Sequence, residues 1–251
     1  MFRPRVIPVL LLKNLALVKS KKFKDYNYIG DPINAVRIFN DLKADELVFL
    51  DIEATTQNRT ISLDFVKDVG EEANMPFSVG GGIRTIEDIR SIIKSGAERV
   101  VIGSSAIIDP DFIYNASEEF GSSTITVCID VKKKLLGGYQ VCYQNGKKNS
   151  GFSPEEFALR MQEKGAGEVI IQSIDKDGAM QGYDLDLIKK ISNSVTIPVV
   201  ALGGAGSIQH LKEAYRPGGA TGLAAGSLFI YRGTKKGVLI NYPERSELSF
   251  E

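Results

Sequence analysis

Phe77-Ser78-Val79-Gly80-Gly81-Gly82-Ile83 is a short apolar run that breaks into three glycines. The same shape returns as Val200-Ala201-Leu202-Gly203-Gly204-Ala205-Gly206. Two more pairs keep the offset: Val101-Ile102-Gly103-Ser104-Ser105 with Ala224-Ala225-Gly226-Ser227-Leu228, and Glu46-Leu47-Val48-Phe49 with Glu168-Val169-Ile170-Ile171. The separation is about 122–123 positions each time, and three matches in register, each on an apolar run, point to a duplicated chain. The halves then cover roughly 1–122 and 123–251 of a single domain.

Other runs of the same kind surround these. Candidate strands are 6–12, 47–51, 77–79, 100–102, 125–130, 169–173, 199–202 and 222–225. Most are continuously apolar instead of alternating, as strands covered on both faces are. Helical patterns separate them. Asp31-Pro32 supplies a cap and a first-turn proline, and Ala35, Ile38, Phe39 and Leu42 have the spacing of one buried face. Thr85 with Asp88 three residues on is a relative of the capping box. Ser153-Pro154 opens a third helix, and Asp184 and Ser207 cap two more. Eight strands with intervening helices in 251 residues predict an α/β fold, a (β/α)8 TIM barrel built from two (βα)4 half-barrels. A doubly wound open sheet is the alternative. Past the last strand, 233–251 holds Val238-Leu239-Ile240 and then Pro243, so the eighth helix is short or replaced.

Composition narrows the chemistry. Lys+Arg and Asp+Glu are 31 each and the pI is about 6.6, which argues against nucleic acid as the main partner. The single histidine, His210, rules out a His-rich zinc site within the chain, and two cysteines, Cys128 and Cys142, are too few for a disulfide scaffold. No metal and no cofactor is expected. No apolar run approaches the ~20 residues of a membrane span, and the 6–12 run lacks a following small-residue cleavage site. The chain is expected in the cytoplasm, with no membrane partner.

Glycines mark four strand ends: Gly81 and Gly82, Gly103-Ser104, Gly203 and Gly204, Gly226-Ser227. Glycine lets backbone N–H groups approach an anion, and barrels commonly hold a phosphate in the loops after strands seven and eight. The duplication repeats that pair of loops on the opposite side, which predicts a ligand with a phosphate at each end. Turn glycines without a ligand are the plain alternative. Carboxylates also end strands: Asp51, Asp130, and, after strand six, Asp175 and Asp177. At the C-terminal rim of a barrel such groups read as catalytic or substrate-orienting; the alternative is loop capping, above all for Asp177-Gly178. When 125–132 is laid on 6–13, Asp130 falls opposite Leu11, so one of two expected carboxylates is missing. At the other end, Arg5, Glu46, Arg99 and Glu168 start strands one, two, four and six and are placed to form a ring of salt bridges, or else four separate solvated charges. His210 reads as a surface residue, Cys128 as barrel interior, and Asn145-Gly146 as a hairpin turn before the solvated Lys147-Lys148-Asn149.

These residues resemble a known family. Gly30-Asp31-Pro32, Asp45 through Asp51, Val79-Gly80-Gly81-Gly82-Ile83, Phe120-Gly121-Ser122, Gly165-Ala166-Gly167-Glu168, Ser173 through Gly178 and Gly203-Gly204-Ala205-Gly206 together resemble the cyclase subunit of imidazole glycerol phosphate synthase over nearly the whole chain. The resemblance implies a partner glutaminase at the bottom of the barrel. Ammonia made there would cross the barrel to a doubly phosphorylated ribonucleotide at the top. It assigns the ammonia gate to Arg5, Glu46, Arg99 and Glu168, with Arg99 in the place of a usual lysine. It makes Asp130 a catalytic aspartate, Lys19 a substrate contact, and the four glycine loops phosphate sites. The family's other catalytic aspartate lies in an Asp-Val-Lys-Asp-Gly stretch, which here reads Leu11-Leu12-Lys13-Asn14-Leu15. Gln172 replaces a threonine, and Gly103-Ser104 an Asn-Thr pair. These departures resemble a paralogous branch linked to bacterial surface polysaccharides, in which the pair feeds ammonia to a third, sugar-amidating protein. A true cyclase with Asp177 standing in for the lost acid is the second expectation, and an unrelated phosphate-binding isomerase barrel a third.

Overall fold

The computed structural model of the chain describes residues 3–233 and 237–250. Eight parallel strands run β1 (Arg5–Lys13), β2 (Leu47–Asp51), β3 (Phe77–Gly80), β4 (Arg99–Ile102), β5 (Ile125–Lys133), β6 (Glu168–Ser173), β7 (Val199–Leu202) and β8 (Gly222–Ala225). Each pairs with the next, and β8 returns to β1 through Arg5↔Gly222 to Pro8↔Ala225, so the sheet closes into a barrel. The open-sheet alternative is thereby excluded.

Two cores explain the unbroken apolar runs. Successive strand residues point to opposite faces. In β1, Ile7 and Val9 face inward to Val48, Val101, Ile170, Val200 and Leu202, while Val6, Leu10 and Leu12 face outward into the layer beneath the helices. Both faces exclude water, so neither tolerates the polar residues of an alternating strand.

The helices are α1 (Pro32–Asp41), α2 (Leu63–Glu72), α3 (Ile86–Lys94), α4 (Ser104–Ile108), α5 (Pro110–Phe120), α6 (Pro154–Glu163), α7 (Leu185–Ser192), α8 (Ile208–Tyr215) and α9 (Ser227–Ile230). The expected caps form: Asp31, Ser153, Asp184 and Ser207 each accept a first-turn amide, and Thr85 with Asp88 makes a reciprocal capping box. The predicted face of α1 needs correction. Ala35 and Phe39 are buried, but the stripe is completed by Pro32 and Val36, leaving Ile38 and Leu42 about 40% exposed. After β8, α9 spans only four residues. The chain then crosses back beneath the barrel, where Tyr242 donates its hydroxyl to the Val6 carbonyl at 2.9 Å and Phe250 packs edge-on against Tyr215. Among the described residues no helix is long and apolar enough to cross a membrane.

Two additions to the barrel sheet lie outside the expected strands. Ala16–Lys21 and Lys24–Gly30 form a hairpin on the end of β1, and Tyr139–Tyr143 with Lys148–Asn149 forms another on β5. The second contains the expected turn at Asn145-Gly146.

Candidate functional site

The C-terminal ends of the strands enclose a pocket into which all four glycine loops turn. Gly82 (φ +66°) lies so close to the 52–59 loop that a Cβ would fall 1.8 Å from the Arg59 carbonyl oxygen. The strand registers, Leu47↔Phe77 and Val169↔Val199, set the offset here at 122, one less than the match of Phe77 with Val200 in sequence, so the counterpart of Gly82 is Gly204 (φ +111°), where a Cβ would meet the Gly182 carbonyl at 2.2 Å. Each half thus uses a left-handed glycine pressed against neighbouring backbone, where no other residue fits. Gly81 and Gly203 precede them, also at positive φ. Gly103-Ser104 and Gly226-Ser227 begin the short helices α4 and α9. This second pair is less alike: Gly103 has nothing nearer than 3.8 Å to a built Cβ, whereas at Gly226 that atom would lie 2.3 Å from Lys19 Nζ.

Lys19 comes from the first hairpin. Its buried ammonium donates to the Val9 carbonyl at 2.6 Å. Burial lowers its pKa to about 8, with the Asp177 charge opposing. A cation with one neutral partner beside a glycine loop is placed to meet an anion there.

Asp130 and Asp177 both line the pocket. Asp130 is pushed up to about 7, first by burial and then by the Asp177 charge, with its contact to Cys128 Sγ opposing. Cys128 belongs to the inner core, as its strand parity implied. Asp177 is also raised by burial, but its carboxylate is occupied: Oδ2 accepts the Ser20 hydroxyl at 2.8 Å and the Phe23 amide at 3.2 Å. It therefore fastens the first hairpin over the pocket. Leu11 lines the same pocket and packs with the inner core. Asp51 touches the pocket, but its oxygens take the amides of Glu53 and Ala54 at 3.0 and 3.1 Å and Arg59 at 2.5 Å. Its bonds are those of a turn anchor. Asp175 lies apart from the pocket lining and accepts the Lys133 amide at 2.8 Å.

Sequence reading did not single out Ser20, Phe23, Tyr26 or Asn145 as pocket residues. The first three come from the unforeseen hairpin. Asn145 donates to the Ile52 carbonyl at 2.8 Å, tying the second hairpin across the rim. Gln172, noted only as a departure, reaches the pocket with its Oε1 unbonded. His210 is half-buried instead of on the surface, and its Nδ1 accepts the Gly206 amide at 3.1 Å.

At the opposite end the four charges form a closed ring. Arg5 bonds Glu46 at 2.6 Å and also Glu168, while Arg99 lies 3.2 Å from Glu46 and 3.9 Å from Glu168. Ser78 adds a hydroxyl to Glu46 at 3.1 Å. Burial raises the Glu168 pKa against the pull of Arg5. Burial acts to lower that of Arg5, and the two carboxylates together outweigh it. Between ring and pocket the barrel interior is apolar.

The fold and pocket define a class: a (β/α)8 barrel with a pocket at one end, matched glycine loops on two sides of it and a charged ring closing its far end. The pattern of the family described as histidine biosynthesis protein matches residues 5–235, and the chain belongs to that family. A Leptospira interrogans protein provisionally named imidazole glycerol phosphate synthase subunit HisF is 45% identical over 248 residues, 98% of each chain. A Pseudomonas aeruginosa protein provisionally named subunit hisF2 of that synthase is 42% identical over 99% of each. The imidazole glycerol phosphate synthase subunit HisF of Alkaliphilus metalliredigens is 45% identical over 231 residues, 92% of each.

Proposed function

We propose that this chain is the HisF-type barrel of a two-protein amidotransferase, and that it conducts ammonia without closing an imidazole ring itself. A glutaminase subunit docks at the ring of Arg5, Glu46, Arg99 and Glu168 and releases ammonia there. The apolar interior carries it to the pocket, from which a third protein takes it to amidate a bacterial surface sugar. The two glycine-loop pairs, with Lys19, hold a phosphorylated ligand at the top; this chain is a single domain of two half-barrels, and the complex works in the cytoplasm.

The observation that carries this reading is Leu11. Cyclisation by the family's route uses an acid–base group on each side of the pocket, each worth roughly 10²–10⁴ in rate. One side has Asp130. The other has a side chain that exchanges no proton. Asp177 is the candidate substitute and favours the second reading, a true cyclase making imidazole glycerol phosphate, because it lies half-buried in the same pocket with a raised pKa. Its bonds to Ser20 and Phe23 argue against that role.

The test is the purified chain with the doubly phosphorylated ribonucleotide and an ammonium salt. The proposal expects no ring-closed product above the uncatalysed background. Turnover at the rate of an authentic cyclase establishes the second reading instead.

A further inference from the structure

Gln172 is 6% exposed, and its Oε1 has no hydrogen-bond partner. A buried amide oxygen without a donor is destabilising, so its persistence asks for a reason. Exchanging the amide nitrogen and oxygen does not remove the problem. The amide also interacts with the Asp177 carboxylate and lowers its pKa. An ionised carboxylate only accepts, so it takes the amide N–H and leaves the oxygen bare.

The position of the orphan oxygen is specific. Glu168, Ile170 and Gln172 alternate on the inward face of β6: Glu168 belongs to the charged ring, Ile170 to the inner core, and Gln172 to the pocket. At about 3.3 Å per residue, Gln172 lies roughly 13 Å along the tilted strand from the ring. It is the first polar group on that strand above the apolar interior. Its register partner across β5 is Asp130, a second acceptor in the pocket. Once Asp130 is ionised, above about pH 7, the two supply oxygens, and the neighbouring Cys128 thiol, 3.9 Å from Asp130 Oδ1, is only a weak donor.

We infer that Gln172 Oε1, together with Asp130, is a docking site for ammonia or ammonium where the barrel interior opens into the pocket. Ammonia has three N–H donors and ammonium four, so either satisfies the bare oxygen and Asp130 at once. A donor on a larger ligand has the same chemistry, and the probe below separates the two sources. This inference deepens the proposed conduit and rests on it only for the direction from which ammonia arrives.

The test uses the full chain alone at about pH 8, where Asp130 is ionised, uniformly labelled with nitrogen-15 and titrated with ammonium chloride and, separately, potassium chloride. The Gln172 side-chain amide resonance is expected to shift saturably with ammonium and not with potassium. Gln172→Leu, which keeps the bulk and removes the acceptor, is expected to weaken ammonium binding about tenfold or more, read from the Asp130 backbone amide. Gln172→Glu, which restores an acceptor, is expected to bind ammonium again. Equal shifts with both salts, no saturable shift, or unchanged binding in the leucine variant overturns the inference; the last two would leave the larger ligand as the donor. Because no glutaminase is present, this outcome is independent of glutamine-coupled assays, in which failure of the conduit reading would appear.

Discussion

Burial lifts the Asp130 carboxyl from its ordinary value near 3.8 to about 7, and this has a thermodynamic signature. The unfolded chain loses that proton near pH 4, while the folded chain keeps it to about pH 7. Between these values unfolding releases a proton, so stability is greatest at the acid end and falls as pH rises through the window. The full effect is about 4 kcal/mol at roughly 1.4 kcal/mol per tenfold change. Urea unfolding at about pH 5 and about pH 8 spans about two tenfold steps of that window, so it should show a loss of about 2.6 kcal/mol in the native chain and a much flatter profile in Asp130→Asn. An unchanged slope in the variant would mean that Asp130 is ionised throughout. Its place at the end of a continuously apolar strand pointed to this residue. Asp51 looked similar in sequence, yet the nearby Arg59 and the turn amides occupy its carboxylate, an outcome set by loop geometry that spacing does not encode.

The ring and the first hairpin set the predictions at the level of elements. Glu46 and Glu168 have side chains only 4% and 11% exposed, and Arg5 bonds both. Arg5→Ala leaves two buried carboxylates sharing Arg99, a loss expected at about 3 kcal/mol in urea unfolding. A loss below about 1 kcal/mol would show that solvent already screens the ring. With the glutaminase present, the same variant is expected to lower glutamine-dependent product formation more than ammonium-dependent formation; equal effects remove the gating role. In the hairpin, Phe23 gives its amide to the Asp177 side chain, while Lys22 gives its own to the Asp177 backbone at 3.1 Å. Asp177→Ala should therefore speed hydrogen exchange at Phe23 more than at Lys22, and equal acceleration would argue that the whole hairpin detaches. The barrel strands were legible because two buried faces leave an unmistakable apolar run. This hairpin was not, because residues 24–28 are all exposed or half-exposed, so no periodicity marks them. The face of α1 was misplaced for a related reason: Ile38 and Val36 are equally apolar, and only the angle at which the helix meets the barrel decides which is covered.

Across the whole molecule, a net charge of zero conceals a polarised arrangement. Paired cations and carboxylates close one end, carboxylates and glycine loops with Lys19 line the other, and an apolar interior joins them. The duplication accounts for the matched glycines at 82 and 204, and for the breach in that symmetry where Asp130 faces Leu11. The central claim is that this breach removes ring closure while leaving the conduit. It is tested most directly by comparing the native chain with Leu11→Asp, each supplied with the doubly phosphorylated ribonucleotide and ammonium. The account predicts background turnover in the native chain and a gain of about 10²-fold or more in the variant. Rapid turnover by the native chain, with no gain on restoring the carboxylate, would contradict it.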